Sequence, residues 1–308
     1  MSDEVISWIA LARVPGVGPA TFRALCERFG GPEQVFAVAA DELDRVSGLR
    51  AETAAALRAP RPLLDGARRL VGELQADGVR IVTSADPAYP GAFHELRNPP
   101  PVLYVLGGLP RADEPAFAVA GSTSASARGR RIARSAGSEL ADAGWTVVSG
   151  YARGIDEAAH LGALEAGGRT VLLLPTGIRA FRLRAAFDPF ADELGARISV
   201  VSECPPDDGW SSRAAVLRDR LIAALGRALL VVEARPDSGT MITFRHAVRM
   251  GRPAYVVRYR RAPAGATGNR LAIRSGGLPV PSMKALWMIA RSRPLPRAMP
   301  RSVQGQLF

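Results

Sequence analysis

Ser149-Gly-Tyr-Ala-Arg-Gly-Ile-Asp-Glu-Ala-Ala-His160 is the stretch on which the reading of this chain turns. It follows the apolar run Trp145-Thr-Val-Val148 and leads into a segment that predicts a helix from Glu157 to Ala166. A glycine-rich turn between a buried strand and a helix leaves backbone N–H groups unpaired at the positive end of the helix dipole, where a phosphate is well held. Taken alone, such a turn equally serves only to reverse the chain. Two further turns share the pattern. Ala228-Leu-Leu-Val-Val-Glu-Ala234 reads as a buried strand, followed by Arg235-Pro-Asp-Ser-Gly-Thr240 and an amphipathic helix, Met241 to Met250. Ala116-Phe-Ala-Val-Ala120 leads through Gly121-Ser-Thr-Ser-Ala-Ser126 into a basic helix, Arg128 to Ala143. In one parallel sheet all three turns open at the carboxyl ends of the strands, where ligands of doubly wound sheets bind.

Strands and helices alternate from residue 79 onward. The strand segments are 79–83, 102–105, 117–120, 146–149, 170–174, 198–202, 229–233 and 254–257. Continuous apolar runs without period-two alternation indicate a sheet covered on both faces, and alternation with helices makes it mainly parallel. The fold class is therefore α/β, a Rossmann-like doubly wound sheet over residues 79–288. Residues 1–62 read as a small all-α domain of the helix-hairpin-helix (SAM-like) type. An amphipathic helix from Val5 to Val14 meets the tight turn Pro15-Gly-Val-Gly18, with Pro19 opening the next helix. A weaker copy spans Asp41 to Leu57. In such domains the amides of Gly16 and Gly18 contact DNA phosphate; the alternative is a small interaction bundle that uses glycine to turn. Pro60-Arg-Pro62 and a helix over residues 63–78 connect this part to the sheet. Residues 289–308 read as an Arg/Pro-rich flexible tail.

The 308 residues carry a net charge of +11, almost wholly from arginine, with one lysine, Lys284. Part of that bias follows from GC-rich coding, but the excess itself favours a polyanionic partner, because the guanidinium pairs with phosphate and stacks on bases. No basic amphipathic helix with an aromatic face is present, so nucleic acid is preferred over a membrane surface. Cys26 and Cys204 fall in different domains, which excludes a disulfide framework and a cysteine metal site. The start Met-Ser-Asp-Glu is followed by no secretory h-region and no apolar run reaches membrane-spanning length, so the expectation is a cytoplasmic protein.

Catalytic constellations are absent from the pattern. His94, His160 and His246 have no metal-ligand spacing. Ser149, Asp156 and His160 lie close in sequence, but no nucleophile elbow surrounds them. The expectation is that Asp156 caps the helix and His160 hydrogen-bonds within the motif, with no cofactor, no metal and no enzymatic step.

The motifs together resemble the DNA-processing protein A family (DprA, also called Smf) over roughly residues 79–277. The resemblance rests on Tyr89-Pro90, Pro99-Pro-Pro-Val-Leu-Tyr104, Gly121 with Ala125-Ser126 and Gly129, and the whole Ser149–His160 motif. It continues through Ser202-Glu203, Arg218-Asp-Arg-Leu-Ile222, Ser238-Gly-Thr-Met-Ile-Thr243, and Gly268-Asn269 ahead of Gly276. It implies a homodimer that binds and protects single-stranded DNA and hands it to the RecA recombinase, as in DNA uptake. On that resemblance the phosphate-binding residues are Gly121, Ser122, Thr123, Gly150, Gly154, Ser238, Gly239, Thr240 and Asn269. Arg153, Arg218 and Arg220 would neutralise phosphates, with Arg179, Arg182 and Arg184 replacing an aromatic turn of the family. Three departures fall in these loops: Gly121-Ser-Thr for Gly-Thr-Arg, Arg182-Leu183 for Tyr-Pro, and Arg218-Asp219-Arg220 for Arg-Asn-Arg.

Two alternatives share the cradles. The LOG phosphoribohydrolases, which hydrolyse nucleotides, place a catalytic glutamate after a Gly-Thr turn, where Met241-Ile-Thr-Phe244 offers none. A nucleotide-sensing domain, as in phage defence, would take a mononucleotide. Finally, Gln304-Gly-Gln-Leu-Phe308 resembles the peptide by which bacterial DNA-metabolism proteins dock on the replication sliding clamp, with Gln304 at the rim and Leu307 and Phe308 filling an apolar pocket.

Overall fold

A computed structural model describes residues 3–110, 114–292 and 295. It divides into two compact units: Met1–Tyr89 with Leu96–Val105, and Pro90–Glu95 with Leu106–Phe308.

In the first unit, helices Asp3–Ala12, Pro19–Phe29, Pro32–Ala37, Ala40–Asp44, Ala51–Leu57 and Pro60–Ala76 precede strands β1 (Arg80–Thr83) and β2 (Val102–Leu106). The acidic residues Asp3 and Glu4 sit in the first turn of the first helix, where the dipole favours them. Pro19 and Pro60 each occupy a first-turn position, where a missing N–H is harmless. The Pro60–Pro62 segment is therefore the start of a helix and not a linker, contrary to the expectation. Leu11, Val14, Val17, Phe22, Leu25, Val35, Leu43 and Leu57 form one buried core, which fuses the two hairpins into a single body. Thr53 Oγ1 donates to Pro15 O at 2.8 Å and ties the second hairpin to the turn of the first. β1 and β2 pair antiparallel, with Ile81 opposite Tyr104.

The second unit contains β3 (Ala116–Ala120), β4 (Thr146–Ser149), β5 (Thr170–Leu173), β6 (Ile198–Ser202), β7 (Leu229–Val231), β8 (Ala254–Val257) and β9 (Leu278–Val280). Their order is β6-β5-β4-β3-β7-β8-β9, with every described pairing among them parallel. Each residue of β3 through β8 is buried, as the unbroken apolar runs require. The chain winds outward from β3 through β4 and β5 to β6, then returns to β7 on the other side of β3. That reversal leaves a crevice at the carboxyl ends of β3 and β7, the switch point at which such sheets take ligands.

On one face, Phe117, Trp145, Tyr255, Leu286 and Ile289 belong to a single buried cluster. The last described helix runs Met283–Arg291, with Ile289 and Ala290 fully buried and Trp145 Nε1 donating to Ala290 O at 2.6 Å. The boundary expected at residue 288 is thus too early. The amphipathic period persists to Arg291 and outweighs the local arginine content. The peptide Gln304–Phe308 lies outside the described residues. None of the described helices is long and apolar enough to cross a membrane.

Candidate nucleic-acid interface

A cavity of about 710 Å³ opens at the switch point, lined in part by Gly121–Thr123, Gly150–Ala152, Ala180–Arg182, Trp210, Arg218–Asp219, Arg235 and Asp237–Thr240. All three glycine turns reach it, but they differ in what their backbone amides already hold.

The first turn carries its own carboxyl group. Asp156 lies in the first turn of helix Ile155–Glu165, whose N-cap is Gly154, so Asp156 is not the cap that the sequence suggests. Its buried carboxyl group folds back and accepts from the amides of Gly150 and Ala152. Burial raises its pKa, while Arg218 and these donors pull it down. The third turn is filled in the same way. Glu233, fully buried at the end of β7, accepts from Ser126 N at 3.0 Å and from Ser126 Oγ at 2.5 Å. Ser126 Oγ in turn caps helix Ala127–Asp142 by accepting from Gly129 N at 2.9 Å. The turn at 235–240 is held differently, with Asp219 Oδ2 3.0 Å from the Cβ position of Gly239. Ser238, the N-cap of helix Gly239–Arg249, turns its hydroxyl to Arg235 O at 2.7 Å, and the Gly239 and Thr240 amides have no partner among the described residues. Of the three turns, this is the one in which no described carboxylate is hydrogen-bonded to a turn amide, and its helix N-terminus suits a phosphate.

The arginines sort the same way. Arg218 is 6% exposed, and its guanidinium donates to Gly150 O and Leu173 O, with Asp219 Oδ1 at 3.4 Å from Nε. It joins the ends of β4 and β5 and offsets Asp156 and Asp219. This is a framework role, where phosphate neutralisation was expected. Gly150 is glycine because a Cβ there would overlap that guanidinium. Arg220 pairs with Glu203 at 2.6 Å outside the cavity lining. Asn269 is buried and holds Val232 O, Val257 O and Ala234 N at 2.8–2.9 Å, so it splices β7 to β8 and lies outside the lining of this cavity. Arg184 lies 4.2 Å over the Tyr151 ring, donates to Tyr151 O at 2.5 Å and pairs with Glu157 at 3.3 Å. Arg179 pairs with Asp207 at 3.3 Å. Arg182 is exposed on the lining, although its NH1 is engaged by Phe181 O and Arg179 O. Arg153 is exposed but outside the lining, as is buried Gly154, whose φ of +86° and 2.5 Å approach of its Cβ position to Ser122 O admit no side chain. Gly16 and Gly18 lie on the exposed turn of the first unit.

His160 does not stay within the motif. Its Nδ1 meets Thr170 Oγ1 on β5 at 2.6 Å, and since that hydroxyl donates to Val147 O, the ring is the donor. Burial, with Arg184 and Arg218 nearby, pushes its pKa down to about 3, so the ring is neutral. Ser149 donates to Val119 O at 2.5 Å. Ser149 and His160 therefore form no relay.

Three more residues shape the site; the sequence reading passed over two of them, Tyr151 and Trp210, and named Asp219 only as a departure from the family pattern. Tyr151 adopts φ +55°, a strained choice for a large side chain. Its ring packs against Phe181 and Phe187 while its hydroxyl joins Arg182 O to Arg184 N. Trp210 is 68% exposed at the rim beside half-exposed Val216; an isolated tryptophan in the polar run Asp207-Asp-Gly-Trp-Ser-Ser212 was the available signal. Asp219 is the third. Burial pushes its carboxyl up to about 7 against the pull of Arg218, and the charge of Asp156 adds to the rise.

Comparison with known proteins bears on the family and the fold. The model of the DNA recombination-mediator protein A family matches residues 80–289, and that of the DprA-like N-terminal HHH domain matches residues 2–57. Protein Smf of Synechocystis is 31% identical over 261 residues, 82% of this chain and 64% of that protein. DNA processing protein DprA of Streptococcus pneumoniae is 33% identical over 176 residues, 56% of this chain and 60% of that protein. The chain thus spans a little under two thirds of the length of these relatives. The X-ray structure of the S. pneumoniae protein superposes with a TM-score of 0.75 at 26% identity, covering 91% of this chain and 95% of that one. A Helicobacter pylori DNA processing protein A, solved to examine its single-stranded DNA binding mode, shares the fold with a TM-score of 0.59 at 23% identity, covering 68% of this chain and 94% of that one.

Proposed function

The chain belongs to the DNA recombination-mediator protein A (DprA/Smf) family, and on that premise we propose that it binds single-stranded DNA at the switch-point cavity without catalysing a reaction. One observation carries the reading: the helix N-terminus at Gly239 and Thr240, whose amides have no partner among the described residues, shares a cavity with exposed Trp210. A phosphate seat beside an aromatic surface suits a strand whose bases are unpaired and free to stack. Exposed Arg182 and Arg235 supply charge at the rim.

Protection of the strand, its transfer to RecA in recombination or DNA uptake, homodimerisation and a cytoplasmic location complete the proposal by family resemblance. Docking of Gln304, Leu307 and Phe308 on the sliding clamp is a separate proposal from the sequence. The exposed Gly16–Gly18 turn of the first unit is proposed as an auxiliary phosphate contact. The test is fluorescence anisotropy with oligo-dT, a duplex of equal length, and free mononucleotides. Tight, salt-dependent preference for oligo-dT is expected. Saturation by a mononucleotide with no binding of oligo-dT would replace this reading with that of a nucleotide sensor, for which the cavity is large enough.

A further inference from the structure

Residues 238–308 contain thirteen arginines and lysines and no aspartate or glutamate, although the whole chain nets only +11. Part of this charge converges on a second concavity of about 420 Å³, lined by Arg258, Arg260, Arg270 and Arg274 around Tyr259, Ile273 and Pro279. All four arginines are exposed, and none of their guanidinium groups has an ion pair or hydrogen bond among the described residues. Other arginines of this unit are paired: Arg134, Arg184, Arg197, Arg218, Arg220, Arg252 and Arg291 each have a carboxylate within 4 Å. Four like charges gathered around one hollow repel one another, and nothing described in the protein offsets them.

The hollow also has a definite place in the fold. Arg258 and Arg260 follow the carboxyl end of β8, which lies parallel beside β7, so the hollow opens on the same edge of the sheet as the main cavity. The loop between them, residues 262–268, is the shared wall: Ala262 and Ala266 line the second hollow, while a Cβ at Gly265 would stand 3.6 Å from the side chain of Ser122, which lines the first. Tyr259, at its floor, lies under a fifth arginine, Arg128, at 6.0 Å, and bonds Glu233, the carboxylate that fills the neighbouring turn.

We infer that the Arg258–Arg260–Arg270–Arg274 hollow is a second phosphate-binding subsite, which takes the backbone of the same strand as it leaves the switch-point cavity along the sheet edge. The inference rests on the single-stranded DNA reading above and adds to it a direction and a minimum length of bound strand. The subsite recognises phosphodiester charge and not base identity, since guanidinium groups dominate its lining.

The experiment compares oligo-dT of about 6 and about 16 nucleotides, lengths within the range of single-module sites, on the full-length protein and on R258Q/R274Q. Affinity is measured across a salt series. Both side chains are exposed, so the variant should melt as the wild type does. For the long oligonucleotide, loss of two phosphate contacts should make the slope of log K against log salt shallower by about 1.4. The short one, seated in the main cavity, should keep its affinity and slope. Equal effects on both lengths, or none on the long one, would overturn the inference while leaving the switch-point site intact. So would a change of R258Q/R274Q from dimer to monomer in light scattering, because the arginines would then face a second copy. Failure of the wild type to bind either length would overturn the single-stranded DNA reading itself, and this inference with it.

Discussion

Replacing Arg218 should unfold this protein before it affects any ligand. In the R218M variant three things happen at once. Gly150 O and Leu173 O lose their shared donor, Asp219 loses its ion pair, and Asp156 loses the cation that opposes its desolvation. Removing one partner of a buried pair costs ~3–5 kcal/mol, because the remaining charge stays buried without compensation. For a domain of this size each kcal/mol lowers Tm by ~2–4 °C, so the variant should melt roughly 6–20 °C lower. A second substitution sharpens the test. In R218M/D219N the orphaned carboxylate is gone, and part of the loss should return; two adjacent residues that share one network are expected to be non-additive. Urea unfolding at pH 7.5, followed by circular dichroism, measures all three proteins. If R218M is as stable as the wild type to within about 0.5 kcal/mol yet no longer binds oligo-dT, Arg218 contacts the strand and the framework role argued here is wrong.

Further outcomes follow from the same network. The folded pKa of Asp219, about 7, lies above its unfolded value near 3.8, so its protonated form stabilises the fold at low pH and that contribution is lost as pH rises through 7. D219N should therefore gain stability relative to the wild type between about pH 4 and 8, up to about 4 kcal/mol at 1.36 kcal/mol per unit; a difference that is flat across this range would refute the shift. G154A should cost at least ~1–3 kcal/mol in chemical denaturation, from positive φ and from contact with Ser122 O and Thr123 O; a neutral result would mean that the two turns separate freely. W210A should weaken oligo-dT binding by ~1–3 kcal/mol with an unchanged Tm, and unaltered affinity would remove Trp210 from the path. Deleting Leu307-Phe308 should abolish co-purification with the sliding clamp while leaving oligo-dT binding intact; wild-type protein that never retains the clamp would end that proposal.

The layered sheet was legible because its strands are buried on both faces, so burial alone writes them as apolar runs such as Phe117–Ala120 and Ile198–Ser202. β9 was missed because three residues with proline in the middle carry almost no pattern. The Pro60–Ala76 start was misplaced because proline reads as a break, although it suits a first turn. At the site, glycine and hydroxyl residues announced three helix N-termini correctly in place. Which of them are occupied depends on Asp156 and Glu233 side chains folding back through space, and spacing cannot express that. Arginine was overread for a related reason: Arg218 and an open phosphate ligand look identical until their carbonyl and carboxylate partners are located.

The two carboxylates that lodge in the first and third turns bear on how a polymer would be held. A strand with identical charges at regular intervals meets a row of equivalent seats in several equally good alignments, and it slips among them. Here Asp156 and Glu233 act as permanent tenants of two turns, and the turn at Gly239–Thr240 would give a sugar–phosphate chain one anchoring point within the switch-point cavity. The acidic groups of a DNA-binding protein would then do more than limit its charge: they would index the strand.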